Sequence, residues 1–252
     1  MPVQRHCTSS LARLCLLVLA SLFAAVGCEL APPPTGYQTL PPTQANQQRY
    51  TPDSVLDRLL EGNSRFVEGR ALSRNTTAAI SLSSKGQYPL AVVLACMDSR
   101  VAPELVFDQG LGEIFVARVA GNYATPDILG SMEYAANVAG AKLVLVMGHS
   151  TCGAIKGTAD NVQLGNISTV VNAIKPAIED VPHSAGHADS HNPVFVQALA
   201  EANVRRTVAK IRTDSPVLAS LEKEGKIKIV GAMYDLTTGR VTLLKDTAPT
   251  AH

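Results

Sequence analysis

The sequence predicts an α/β fold with a mainly parallel central sheet flanked by helices and an antiparallel edge strand near its C-terminus. Three observations predict it. Short apolar runs at 90–95, 114–119, 143–147 and 227–233 are too brief and continuous for most helices, and read as strands buried on both faces, hence parallel. Segments around them open with a capping side chain followed by proline, at Thr51-Pro52, Thr125-Pro126, Asn192-Pro193 and Ser215-Pro216. A turn at Thr237-Thr238-Gly239 then leads into Val241 to Leu244, the antiparallel strand.

In chain order, the first helix places Leu56, Leu59, Leu60 and Phe66 on one stripe. The run from Leu90 supplies the first strand and Ile114 to Val119 the second. The helix opening at Pro126 carries Ile128, Leu129, Met132 and Ala136 and closes at Gly140, before the strand from Leu143. The helix from Pro193 runs to about Ile211, and that from Pro216 ends at Gly225, before the last parallel strand. No internal repeat or second domain is visible.

The N-terminus differs. Arg5 and Arg13 precede an apolar stretch from Leu14 to Val26, shorter than the ~18 residues a membrane-spanning helix needs, which marks residues 1–27 as a secretory signal peptide. Ala25-Val26-Gly27-Cys28 resembles a bacterial lipobox with Ala where Leu is usual, making Cys28 a lipidation candidate; an ordinary signal with an incidental cysteine is the alternative. Residues 28–50, with Pro32-Pro33-Pro34 and Pro41-Pro42 among Gln, Thr and Asn, read as a disordered tether. The expected domain is 51–247, with a tail at 248–252, in an exported protein of the periplasm or cell envelope that touches a membrane only through a lipid anchor. A formal charge of +1 gives no support for nucleic acid as a partner.

Of five cysteines, Cys7 and Cys15 leave with the signal, so the body keeps Cys96 and Cys152. Export would suit a disulfide between them. Against that, Cys96-Met97-Asp98-Ser99-Arg100 and His149-Ser150-Thr151-Cys152 each put ligand-type or charged residues at close spacing at a strand end, which a staple does not require. In extended chain Cys96, Asp98 and Arg100 share a face. Cys152 falls in what reads as the first turn of a helix, where the helix N-terminus favours thiolate. A strand, a crossover and a strand would bring both pairs to the carboxyl edge of the sheet, where open α/β sheets place ligands. Cys96, His149 and Cys152 make three ligands and leave a fourth position open, the pattern of catalytic zinc.

With Leu59-Leu60-Glu61-Gly62-Asn63, Ala120-Gly121-Asn122, Gly148-His149-Ser150-Thr151-Cys152-Gly153 and Tyr234-Asp235-Leu236 in this order, the stretch from Ser54 to Leu244 resembles a β-class carbonic anhydrase. The resemblance implies reversible hydration of CO2 to bicarbonate and a proton through zinc-bound hydroxide, with one Zn²⁺ per subunit on Cys96, His149 and Cys152. It also implies a homodimer or higher even oligomer. Two thiolates cancel the charge of Zn²⁺, so the metal acidifies water less than it would on three imidazoles. Asp98 then compensates by accepting a hydrogen bond from the nucleophile, and Arg100 keeps Asp98 ionised and turned away. In some members the equivalent aspartate becomes a fourth ligand and closes the site; a plain salt bridge is the other reading of the pair. Gly121 and Gly153 are expected to allow close backbone approach, Gly153 beside bound substrate, although tight turns alone would also explain them.

Departures from the family pattern matter too. The position of a substrate-orienting glutamine in plant-type enzymes is Gly110, with Gln109 one step earlier. Arg118 matches an arginine of a noncatalytic bicarbonate pocket, but a chain without Trp lacks that pocket's tryptophan. His183, His187 and His191 read as a solvated loop, with proton shuttling or metal scavenging as alternatives. Two other functions stand beside the first: hydrolysis of CS2 or COS on the same fold, and a noncatalytic zinc-binding or bicarbonate-sensing lipoprotein.

Overall fold

A computed structural model describes residues 40–247. The expected signal peptide, Cys28 and the 248–252 tail lie outside them. The centre is a five-stranded sheet of β1 (Ala91–Ala95), β2 (Ile114–Arg118), β3 (Leu143–His149), β4 (Lys228–Tyr234) and β5 (Val241–Leu244), in the order β2-β1-β3-β4-β5. The first four strands run parallel and β5 is antiparallel to β4. β1 and β3 are buried along their whole length, as continuous apolar runs covered on both faces must be. β2 departs from the expectation of two buried faces, because it is an edge strand and stays only half-buried.

The helices follow the same grammar. The chain enters through α1 (Gln44–Gln47), followed by α2 (Pro52–Val67) and α3 (Thr76–Ser83). The tether expected to reach residue 50 is therefore shorter. Thr43 caps α1, and the buried Gln47 donates through Nε2 to Pro89 O at 2.7 Å and Ala139 O at 2.8 Å, fixing this segment to the body despite its loop-like composition. At α2 Thr51 and Ser54 form a reciprocal capping box ahead of Pro52. After α4 (Pro103–Val106) come α5 (Pro126–Glu133), which continues through a π-helical turn to Val138, then α6 (Gly153–Ala159) and α7 (Ile167–Ile174). The last two are α8 (Pro193–Asp214) and α9 (Pro216–Lys223), each capped by the predicted side chain before proline.

Side chains alternate along β1, so its two faces build two cores. Ala91, Val93 and Ala95 pack with Leu143, Leu145 and Met147 beneath Val55, Leu56 and Leu59 of α2. Val92 and Leu94 pack with Val144 and Val146 against Leu199, Val204 and Val208 of α8. Cys96 continues this second face and emerges at its carboxyl edge. Helix α2 sits close because residue 62 is glycine: a Cβ there would lie 1.9 Å from Phe107 O.

Candidate metal centre

Two parallel strands and the helix start after the second deliver the site to one edge of the sheet. Cys96 follows the last residue of β1, His149 ends β3, and Cys152 is the N-cap of α6, one residue before the helical turn expected to hold it. One ligand atom from each lies within 4.8 Å of the others, and all three residues are buried. The sulfurs are 3.9 Å apart and unbridged, so the pair is two free thiols and no staple. His149 Nδ1 sits 3.0 Å from Ser150 O, which fixes a proton on Nδ1 and presents the Nε2 lone pair to the sulfurs. Nε2 is buried without a protein partner, an uncompensated state that a metal ion would remove.

The electrostatics suit a cation. The hydrogen bond shared with Cys152 lowers the Cys96 thiol to about 4 against the cost of burial, with help from His149 and from the Gly121 and Asp98 N–H groups. The same contact, reinforced by burial, pushes Cys152 up, so the pair shares one proton. Thiolate is the form that binds metal. The donor set fits a soft divalent ion such as Zn²⁺.

Asp98 is clamped by Arg100: Nε and the backbone N–H donate to Oδ1 at 2.9 and 3.0 Å, and Nη2 donates to Oδ2 at 2.8 Å. Those side-chain bonds hold the Asp98 carboxyl far below the usual carboxylate range, so it is ionised beside the centre. Its Oδ2 lies 4.0 Å from His149 Nε2.

Of the supports, Gly121 was expected to allow close backbone approach, but the hydrogen bonds that run through it were not. Gly121 donates its N–H to Cys96 Sγ at 3.4 Å, and buried Asn203 of α8 donates to Gly121 O at 2.8 Å. Gly121 has φ +76°, and a Cβ there would lie 2.4 Å from Ile174 Cδ1, so close approach explains this glycine. Gly153 differs from its expectation: a Cβ would meet nothing within 4 Å, because its outer side faces open space. The signal for Asn203 is a polar side chain on the helix face that carries Leu199, Ala200 and Val204.

Of the other predicted groups, only Arg118 touches the centre, through backbone. Gln109 is buried, with Nε2 donating to Phe107 O at 2.6 Å. Arg118 reaches the backbone of the Cys96 turn. His183, His187 and His191 are exposed, and His191 bonds Asp189 at 3.1 Å. Among the described residues the grouping that could hold a metal is Cys96, His149 and Cys152.

Two thiols and an imidazole converging at the carboxyl ends of parallel strands define an α/β protein with a cluster that could hold a metal ion. The family model described as carbonic anhydrase matches residues 91–241. A carbonic anhydrase of Mycolicibacterium smegmatis is 38% identical over 187 residues, spanning 73% of this chain and 89% of the relative. The chain belongs to the β-carbonic anhydrase family. A tetrameric β-carbonic anhydrase of the ascomycete Sordaria macrospora shares the fold with a TM-score of 0.62 at 22% identity, covering 76% of this chain and 97% of that one. A Coccomyxa β-carbonic anhydrase in complex with acetazolamide gives a TM-score of 0.60 at 25% identity, over 75% of this chain and 86% of the other.

Proposed function

We propose that this protein catalyses the reversible hydration of CO2 to bicarbonate and a proton, with one Zn²⁺ per subunit on Cys96, His149 and Cys152. The observation that carries the reading is the ionised Asp98 beside three convergent ligands, a pairing that metal storage alone would not need. Bound Zn²⁺ would supply Lewis acidity and lower the pKa of a water molecule. The protein does the rest. Asp98 accepts a hydrogen bond and orients the attacking oxygen; Arg100 holds the carboxylate charged and off the metal. His149 keeps its donor nitrogen aimed inward through Ser150 O. Open space beside Gly153 leaves room for a small substrate next to Cys152.

The same reading places the chain outside the cytoplasm, exported by residues 1–27 and carried on acylated Cys28, with 248–252 as a tail. Basic residues before an apolar stretch ending at Gly27-Cys28 support it. Among the described residues no helix is long and apolar enough to cross a membrane. A homodimer or higher even oligomer is supported by the half-buried β2 edge and the exposed Met97, Leu105 and Leu111.

Stopped-flow assays with CO2, COS and CS2 on one zinc-loaded preparation test the activity. Turnover of CO2 well above the other two is expected. Preference for COS or CS2 would reassign the substrate, and no turnover of any would leave a noncatalytic zinc protein. The mass of the N-terminal peptide from the membrane fraction tests acylation at Cys28; an unmodified, soluble N-terminus would remove the anchor.

A further inference from the structure

We propose that Arg118 is a positioning residue, a two-point clamp that fixes the turn carrying both the first metal ligand and the Asp98–Arg100 pair; this rests on the metal-centre reading above. The register of the sheet creates the clamp. β1 and β2 run parallel with Ala95 opposite Arg118, and Val119 N–H donates to Ala95 O at 3.2 Å, the contact that ends their pairing. Beyond it β1 gives way to Cys96 and the turn, whose carbonyls have no strand partner. The Arg118 guanidinium takes them instead: Nε donates to Cys96 O at 3.0 Å and Nη2 to Asp98 O at 2.6 Å. Asp98 O also accepts from Val101 N–H at 2.9 Å, so both sides of the turn are tied at one oxygen.

The geometry explains why arginine is needed. Two donors in a rigid planar fork span carbonyls two residues apart, whereas a lysine ammonium is a point charge that cannot hold both in one fixed arrangement. With both carbonyls held, the backbone of Cys96-Met97-Asp98 cannot rotate. Cys96 Sγ stays within 3.9 Å of Cys152 Sγ, and the Asp98 carboxylate keeps its position 4.0 Å from His149 Nε2. Met97, 64% exposed, adds no packing of its own to fix the turn. Arg118 thus acts through Asp98 and Cys96 and touches no substrate.

The test uses the full chain with Arg118→Ala and Arg118→Lys, each measured for zinc affinity against a chromophoric chelator, for the ligand-field spectrum of the Co²⁺ form, and for kcat and KM of CO2 hydration. Arg118→Ala should bind zinc about 10–100-fold more weakly and lose kcat by a similar factor with KM little changed, as when groups that orient metal ligands are removed. Its Co²⁺ spectrum should differ from wild type, Arg118→Lys should recover only part of the loss, and added guanidinium should restore affinity and kcat where methylammonium does not. Wild-type affinity and Co²⁺ spectrum in Arg118→Ala would overturn the proposal, as would failure of guanidinium to restore the folded variant. Should Arg118→Ala not fold, Arg118→Lys decides: weakened affinity with an altered spectrum supports the clamp, and wild-type values overturn it. A wild-type protein that binds zinc without hydrating CO2 would defeat the proposed function yet leave the affinity and spectral arms intact.

Discussion

The Asp98 carboxylate meets Arg100 through both oxygens, Oδ1 at 2.9 Å from Nε and Oδ2 at 2.8 Å from Nη2, while Oδ2 also lies 4.0 Å from His149 Nε2. Asp98 is thus held between a guanidinium and the metal donors, and losing Arg100 would release it toward the cation. Arg100→Ala should keep zinc, since Arg100 is no ligand, and should lower kcat at least tenfold by letting Asp98 occupy the position that water needs. Zinc content beside kcat checks this; unchanged kcat in a zinc-replete variant would make the pair a plain surface salt bridge.

Removing the metal should soften the fold as well as stop turnover. Without a cation His149 Nε2 is buried and unpartnered, and two buried sulfurs face each other 3.9 Å apart. Zinc at a hundred times its dissociation constant would add about 2.7 kcal/mol. For a domain of this size that is a Tm rise of about 5–10 °C. Thermal melts with zinc and with EDTA read it directly, and coincident melts would argue against a site in these residues.

Asp108 anchors a second charge cluster, remote in role from the metal. Its carboxylate accepts from Arg65 Nε and Arg74 Nη1, both at 2.6 Å, and Arg74 Nη2 also donates to Asp108 O. Burial alone would raise its carboxyl, but Arg65, Arg74 and the Leu72 N–H outweigh this and hold it below the ordinary value of about 3.9. With the folded pKa depressed, the unfolded chain takes up the proton first. The stability is therefore full above about pH 4 and lost as pH falls through the folded pKa. Asp108→Asn, which tolerates the φ of +47° here, should cost about 3 kcal/mol at pH 7 by taking the carboxylate from Arg65 and leaving Arg74 only its longer, 3.8 Å ion pair with Glu113. In metal-free protein the gap from wild type should narrow below pH 4; a gap that persists at pH 2 would show that charge is not its source.

Gly121→Ala tests the support behind Cys96. Its φ of +76° costs an L-residue about 1–2 kcal/mol, and the added methyl would press on buried Ile174. A Tm drop of about 4–8 °C is expected, again by thermal melt. An unchanged Tm would mean that the turn relaxes without strain.

Much of this was legible because it is local. β1, β3 and β4 are apolar runs with both faces covered, and proline behind a capping side chain marks the starts of α2, α5, α8 and α9. α4 and α7 were missed because they are short, and neither has a side-chain cap to announce it. Gln47 shows the converse, a polar residue in a loop-like stretch held down by two carbonyls far away in sequence. Within the site, spacing alone exposed Cys96, Asp98, Arg100, His149 and Cys152, which lie within a few residues of two strand ends. Arg118 and Asn203 act through strand register and helix packing across 22 and 82 residues, which no local pattern records.

The most direct test is CO2 hydration by the zinc-loaded protein beside Asp98→Ala and Cys96→Ser. The account predicts rapid turnover in wild type, a loss of about 10–100-fold in Asp98→Ala with zinc retained, and loss of both zinc and activity in Cys96→Ser. Wild-type turnover no faster than that of zinc-replete Asp98→Ala would contradict it.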